Sequence, residues 1–213
     1  FWRLAIGGIV IAGWLLFTRR RLQFTRRIWV LLVLAALFLA ADLWFYHRSI
    51  QYVGPGLSTL LANFQVFVMA AVGLVILGER PTLRQLIAIP LALFGLALIV
   101  CLDWDSLSAE YRRGIVFGLA AAVTYAGYLL GMRRSRRDAT TRVPSREIAV
   151  VSLVGAAMLG AAVLAEGDTL AVTRGGDIAW LLVYGVLSHG MGMLFIASSL
   201  PKIRVISARA FSE

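Results

Sequence analysis

Long apolar stretches separated by short polar links run through the whole sequence. Each complete stretch is roughly 18–22 residues long, which at about 1.5 Å per residue matches the ~30 Å hydrocarbon core of a bilayer. The apolar residues are nearly continuous rather than alternating, and this favours helices over barrel strands. The complete stretches lie at about 1–17, 28–46, 56–77, 85–102, 114–132, 147–165 and 178–199, and an eighth begins near residue 203. The pattern predicts an all-α, polytopic membrane helix bundle.

Composition supports the membrane assignment. Hydrophobic residues make up 60% of the 213 positions and charged residues 15%, whereas soluble domains carry about 25% charged residues. A chain of this size cannot bury such an apolar excess in its own core, so we predict that the lipid bilayer solvates much of its surface. The single cysteine, Cys101, excludes an internal disulfide and a CxxC metal or redox site. No cofactor is predicted.

The basic residues indicate the orientation. The net charge is +10, and 16 of the 21 Lys and Arg residues lie in alternate links, at 18–27, 78–84, 133–146 and 200–213. These positions lie between apolar stretches, so the charge reflects membrane topology and predicts no nucleic-acid partner. By the positive-inside rule, the arginine-rich links are cytoplasmic. We therefore predict a multi-pass protein of the cell (inner or plasma) membrane.

The same rule makes the first apolar stretch run from outside to inside. An N-terminus outside the membrane, with no segment to carry it there, leads to the expectation that one span precedes residue 1. The unfinished eighth stretch leads to a similar expectation for the other end. From this sequence we expect a protein truncated at both ends.

A short internal repeat links two distant stretches. Trp29 begins a Trp-Val-Leu-Leu-Val run and is followed sixteen residues later by Phe45; Trp180 begins Trp-Leu-Leu-Val and is followed fifteen residues later by Phe195. The copies lie five spans apart, so they cross the membrane in opposite directions, as the inverted repeats of secondary transporters do. The alternative is chance similarity between two apolar helices.

Three sequence stretches resemble a known family. They are Ser58-Thr-Leu-Leu-Ala-Asn-Phe-Gln65, the run from Val75-Ile-Leu-Gly-Glu79 to Val100, and Gly114-Ile-Val-Phe-Gly118-Leu-Ala-Ala-Ala-Val-Thr-Tyr125. In order and spacing they are similar to EamA-type members of the drug/metabolite transporter superfamily.

The resemblance implies ten helices in two inverted five-helix repeats, cytoplasmic termini and a central substrate cavity. Residues 1–102 would then be the first repeat without its first helix. Residues 103–213 would be the second repeat, truncated within its fourth helix, so that about seven or eight helices are present. The Gly-Glu that should close the corresponding helix of the second repeat is absent. The implied function is a secondary transporter, an exporter of small organic metabolites such as amino acids or drugs, working by alternating access.

Asp42 is the one acidic residue well inside an apolar stretch. Charge at such a depth is costly, so the residue should face a cavity or a partner. Helix arithmetic puts Asp42 about 21 Å above the inner end of its span, and Asn63 about 10 Å below the outer end of the next, so their depths nearly coincide. Tyr46 and Thr59 lie one turn away on the corresponding faces. We predict a shared substrate or proton site; the alternative is a buried Asp–Asn hydrogen bond that joins two helices.

Two further residues complete the set of pathway candidates. His189 lies mid-span, where a histidine can relay protons; alternatively, it is neutral and bonded to a backbone carbonyl. Gln65 closes the first family-like stretch. No second histidine or cysteine lies at ligand spacing from His189, so no metal site is predicted.

Other motifs are assigned to structure. Glu79 and Arg80 close a helix at the cytoplasmic edge, where Glu79 is expected to pair with a loop arginine and to steady an inner gate. Gly114-xxx-Gly118 and Gly127-xxx-Gly131 are expected to permit close helix packing.

Two other function classes remain open beside the carrier. An intramembrane enzyme would need a serine nucleophile paired with a histidine on another span, but no Gly-x-Ser-Gly, Gly-x-Ser-x-Gly or HExxH motif occurs. A structural or receptor subunit would need no polar residues at matched depth. The predicted protein is not an enzyme; its partners are the bilayer, a small-molecule substrate and candidate coupling protons, and the sequence leaves the oligomeric state open.

Overall fold

A computed structural model describes residues 1–18, 24–75, 78, 83–101, 107–138, 144–172, 175–192 and 195. All regular secondary structure in these residues is helical, which confirms the all-α prediction. The elements are α1 (Trp2–Phe17), α2 (Arg26–Ala62), α3 (Gln65–Val75), α4 (Leu83–Cys101), α5 (Ala109–Asp138), α6 (Pro144–Ala165), α7 (Gly175–Val183) and a π-helix (Tyr184–Met191).

Several of these helices have the length and composition of membrane spans. Among the described residues, three helical runs are long and apolar enough to cross a bilayer: Arg26–Val75, Ala109–Ser135 and Ser145–Ala165. Trp2–Phe17 and Ile87–Leu98 are shorter apolar helices. Together with the composition, they make this a polytopic membrane protein.

The longest run folds back on itself at a glycine. Within α2, Gly54 has φ 80° and ψ 166°, a conformation for glycine alone, and Pro55 follows it. The hydroxyls of Ser49 and Ser58 are 2.9 Å apart, whereas nine residues of straight helix would separate them by about 13 Å. Helix α2 is therefore a hairpin of two antiparallel limbs, 26–53 and 55–62. The predicted link at 47–55 is largely helical, and the reversal needs only Gly54.

The second limb stops earlier than the sequence pattern predicts. A continuous span was expected over 56–77, but Asn63 and Phe64 form a turn between α2 and α3. There the backbone amides of Phe64 and Phe67 donate to carbonyls three residues back rather than four. The tighter 3₁₀-type bonds interrupt the helix within the span.

Contacts divide the described chain into two compact units. The first comprises Phe1–Ala41 and the described residues of Gly127–Ile203, and the second contains Asp42–Ala126. These contact-based units follow different boundaries from the predicted repeats, 1–102 and 103–213, which rest on sequence similarity and stay a prediction.

In the first unit, α1 packs against α6 and the π-helix. Glycines set the closest approaches: a Cβ on Gly8 would lie 3.0 Å from the Leu153 side chain, and one on Gly185 would lie 2.8 Å from Ile6 Cβ. Gly127 and Gly131 of α5 approach α2 as predicted, with Cβ positions 2.8 Å from Phe38 and 3.1 Å from Ala35.

In the second unit, the first half of α5 packs against the α2 hairpin. A Cβ on Gly114 would lie 2.6 Å from Tyr52 Cβ, and one on Gly118 would lie 2.7 Å from Leu61 Cδ1. The Ser49 hydroxyl donates to the Gly114 carbonyl at 2.8 Å. The prediction that the Gly114 and Gly118 pair permits close helix packing is confirmed.

Candidate functional site

Two predicted site residues bond to each other across the hairpin of the second unit. The Tyr46 and Thr59 hydroxyl oxygens are 2.9 Å apart. The Thr59 hydroxyl donates its single proton to the Pro55 carbonyl at 2.7 Å, so Tyr46 is the donor of the bond between them. The Tyr46–Thr59 pair lies farther from the turn at Gly54 than the Ser49–Ser58 pair does.

The hydrogen-bonded pairs define the register of the two limbs. Starting from Tyr46 and Thr59, one helical turn away from Gly54 leads to Asp42 on the first limb and to Asn63 on the second. This register agrees with the depth arithmetic from the sequence. A close approach of the Asp42 and Asn63 side chains stays a prediction.

The residues on the two limbs differ in their exposure. Asp42 is buried, with 8% of its surface exposed, whereas Thr59 and Asn63 lie on the exposed side of their limb. The opposite side of the same limb is the one packed in the unit, through buried Ser58 and Leu61. Thr59 and Asn63 thus lie on the side of their limb that faces away from Ser58 and Leu61.

Asn63 lies at the helix interruption itself. Its side-chain amide donates to the Thr59 carbonyl at 3.0 Å. Interrupted helices expose backbone polar groups inside the membrane, and transporters use them to line binding sites. Gln65 begins α3 directly after the interruption and is half-buried. The other two predicted residues, Glu79 and Arg80, lie outside the described residues.

His189 lies in the first unit. It is 2% exposed, and its Nε2 is 2.7 Å from the Ser152 hydroxyl of α6. The sequence offered a proton relay or a bond to a backbone carbonyl; the side-chain partner is a hydroxyl. Gly7 of α1 makes room for the ring, because a Cβ there would lie 2.7 Å from His189 Cδ2.

Sequence reasoning missed three polar residues of the first unit. Ser152 is buried beside His189, and Arg3 of α1 donates to the Tyr184 hydroxyl at 3.2 Å. Arg3 carried a signal, since it is a charged residue within the apolar stretch 1–17. Ser152 and Tyr184 carried none, because hydroxyls and phenols are common in membrane helices.

The second unit also contains a hollow whose lining is apolar. It has a volume of about 290 Å³ and no polar lining atom, and its lining residues are Leu61, Phe64, Leu93, Leu96, Ala97, Leu119 and Val123. Such a surface can accept an alkyl or aryl group but cannot orient a polar one. Within the described part of the chain, no group of three or more His, Cys, Asp or Glu side chains could hold a metal ion.

The comparisons with known proteins match this sequence to transporters. Residues 1–101 match the sequence model of the EamA-like transporter family. A protein of Haemophilus influenzae strain Rd described as an uncharacterized transporter is 23% identical over 132 residues, which cover 61% of this chain. The match covers 42% of that relative's own length. No solved structure matches the chain.

Proposed function

We propose that this protein is a secondary transporter that exports a small organic metabolite by alternating access, because residues 1–101 match the model of the EamA-like transporter family. In this proposal it lies in the inner membrane with its arginine-rich links in the cytoplasm. Its partners are the lipid bilayer and a small-molecule substrate, and protons are the candidate coupling ion.

The observation that carries the proposal is the polar face of the α2 hairpin. Tyr46 and Thr59 are hydrogen-bonded between two apolar limbs, and the register continues to Asp42 and Asn63. Placing these polar side chains at the same depth in the membrane costs free energy, and packing of the two limbs does not require them. An interrupted helix at the same level supplies further polar groups to a passing solute. We propose that this face binds the substrate or coupling protons.

An intramembrane enzyme is the second candidate, because Ser152 and His189 form a hydroxyl–imidazole pair on different helices. Such a pair is the core of a serine nucleophile and its general base. Here, however, Ser152 is 1% and His189 2% exposed, so a substrate has no access to the hydroxyl. Labelling with a fluorophosphonate tests this candidate: covalent modification of Ser152 would favour the enzyme.

Flux measurements on the full-length protein test the transporter proposal. We expect uptake of a member of a labelled panel of amino acids and aromatic drugs into inside-out vesicles. Asp42→Asn should reduce uptake at least about tenfold if it removes a charge used in the cycle. Asp168→Asn is the matched control, since it makes the same change in an exposed link.

Transport must be normalised to folded protein, because the Asp42 variant can also lose stability. Normal uptake per folded Asp42→Asn molecule would contradict a role for this carboxylate in transport. Absence of uptake for the whole panel, with the protein folded, would contradict the proposed carrier activity for these substrates.

A further inference from the structure

A half-buried cation lies near one end of the first unit. Arg3 belongs to the apolar stretch 1–17, and its guanidinium contacts Tyr184, seven residues beyond Asp177, the last acidic residue before that span. The neighbouring Trp2 indole donates to the Leu170 carbonyl of the link 166–177, so the contact lies near the outer end of the apolar stretch. Arg3 is half-buried there, and a partly buried guanidinium needs an acceptor for its donors.

The described residues supply only part of the hydrogen bonding that this arginine can form. Its Nη1 donates to the Tyr184 hydroxyl at 3.2 Å, and its Cζ lies 5.8 Å from the centre of the Tyr184 ring. Within the described part of the chain Arg3 forms no ion pair. A guanidinium has five N–H donors, so most of them remain for an acceptor from outside these residues. The positive charge is likewise not neutralised by a described carboxylate.

The π-helix brings further polar groups to the same side. Its hydrogen bonds join residues five apart, so Tyr184 and His189 lie on one face, whereas an α-helix would turn them apart by about 140°. The two residues contact α1 one turn apart, Tyr184 at Arg3 and His189 at Gly7. Single π-helical turns occur frequently at functional sites.

We propose that Arg3 and Tyr184 form a binding subsite for the carboxylate of an organic monoanion, with the buried His189–Ser152 pair as its floor. The guanidinium offers a planar fork that matches the two oxygens of a carboxylate. The Tyr184 hydroxyl oxygen accepts from Arg3 and from Ser188, so its own proton can be donated to the same anion. One arginine neutralises one negative charge, so the subsite favours a monocarboxylate over a dianion. Tyr184 is half exposed, which leaves the subsite open to a ligand.

The inference rests on the proposed transporter function for its biological sense, but binding can be measured alone. The probes are acetate, lactate, benzoate and phenylacetate, each compared with its neutral amide. They are titrated calorimetrically into the purified full-length protein in nanodiscs of phosphatidylcholine. We expect at least one carboxylate to bind with its amide at least about tenfold weaker, the ratio expected for one charge-assisted hydrogen bond.

Variants then locate the subsite. Arg3→Gln should weaken carboxylate binding about tenfold or more, and Tyr184→Phe should weaken it several-fold. Arg3→Lys keeps the charge without the fork and should fall between wild type and Arg3→Gln. It also keeps the test valid if Arg3→Gln does not fold. Arg113→Gln, at an exposed arginine of α5, is the matched control and should bind as wild type does.

Each of three results would overturn the subsite: no tested carboxylate binds, an amide binds equally well, or all Arg3 and Tyr184 variants bind as wild type does. Absence of carboxylate binding in phosphatidylcholine, with Arg3-dependent binding of a short-chain phosphatidylglycerol, would assign Arg3 to a lipid phosphate and would also overturn it. Transport of a neutral solute together with absent carboxylate binding would end this inference and leave the transporter proposal standing. Carboxylate binding without any flux would leave the subsite standing and would contradict the transporter proposal.

Discussion

The Ser152 hydroxyl is the partner that permits His189 to be buried in the first unit. An imidazole nitrogen removed from water costs free energy unless it is hydrogen-bonded. The 2.7 Å bond between Ser152 and His189 meets that requirement, and Gly7 leaves the volume that the ring occupies. A structural role for the His189–Ser152 bond predicts that the protein loses stability when the Ser152 hydroxyl is removed.

Ser152→Ala should destabilise the protein by about 1–3 kcal/mol, because it leaves a buried imidazole nitrogen without its partner. Thermal unfolding in detergent measures the effect. Ser188→Ala, at an exposed position of the same π-helix, removes a hydrogen bond to the half-exposed Tyr184 and should cost less, no more than about 1 kcal/mol. Equal melting temperatures for the two variants would contradict the role assigned to Ser152.

Helix α2 shows how one backbone position organises an element. The limbs 26–53 and 55–62 are antiparallel because Gly54 adopts a positive φ, and their hydroxyl pairs then meet across the turn. The same hairpin accepts α5 at Gly114 and Gly118, where the absence of side chains permits close contact.

Replacing Gly54 by Ala should destabilise the hairpin by about 1–3 kcal/mol, the cost of holding a non-glycine residue in such a conformation. Gly56→Ala is the control two residues away: Gly56 is helical and a Cβ there would meet nothing within 4 Å. We expect it to be neutral or slightly stabilising. If the two alanine variants melt at the same temperature, the turn does not depend on the positive φ.

Helix packing gives a second test at this scale. Gly118→Ala should cost about 1–3 kcal/mol, since its new methyl group would overlap Leu61 near the rigid Cβ. Gly13→Ala adds the same group in α1, where nothing lies within 4 Å, and should have little effect. Unfolding of both variants under identical detergent conditions compares them, and a stable Gly118→Ala protein would show that α5 packs less tightly.

For the whole molecule, hydropathy decides that the protein is in the membrane and charge predicts which side each link occupies. The arginine-rich links alternate with acidic ones such as 166–177, and this alternation requires a regular succession of spans.

Surface labelling tests that orientation. In a Cys101→Ser background, we expect Asp168→Cys to react with a membrane-impermeant maleimide on intact cells and Thr140→Cys to react only after permeabilisation. The reason is that links rich in arginine are retained in the cytoplasm. Labelling of Thr140→Cys on intact cells would reverse the predicted topology.

The predicted inverted repeat also concerns the whole molecule. If it exists, residues 28–46 should superpose on 178–199 after a twofold rotation about an axis in the membrane plane. An experimental structure of the full-length protein would test this, and a purely translational relation would contradict it.

The candidate site was partly readable from the sequence. Asp42, Tyr46, Thr59 and Asn63 could be grouped because helix spacing fixes depth and face, and the Tyr46–Thr59 bond agrees with that grouping. The interruption at Asn63 was not predictable, since the average hydropathy of the stretch 56–77 is that of a continuous span and does not report single hydrogen bonds.

The sequence by itself determined the membrane location and the all-helical structure. The physical reason is that a bilayer demands long apolar segments with internally satisfied backbones, and both requirements are local. Only the tertiary structure decided that Ser152 meets His189 and that Arg3 meets Tyr184, 37 and 181 residues apart in the chain. Such pairings depend on which helices pack together and on the π-helix that aligns Tyr184 with His189. Those are properties of side-chain volume and close approach at glycines, which no local pattern encodes.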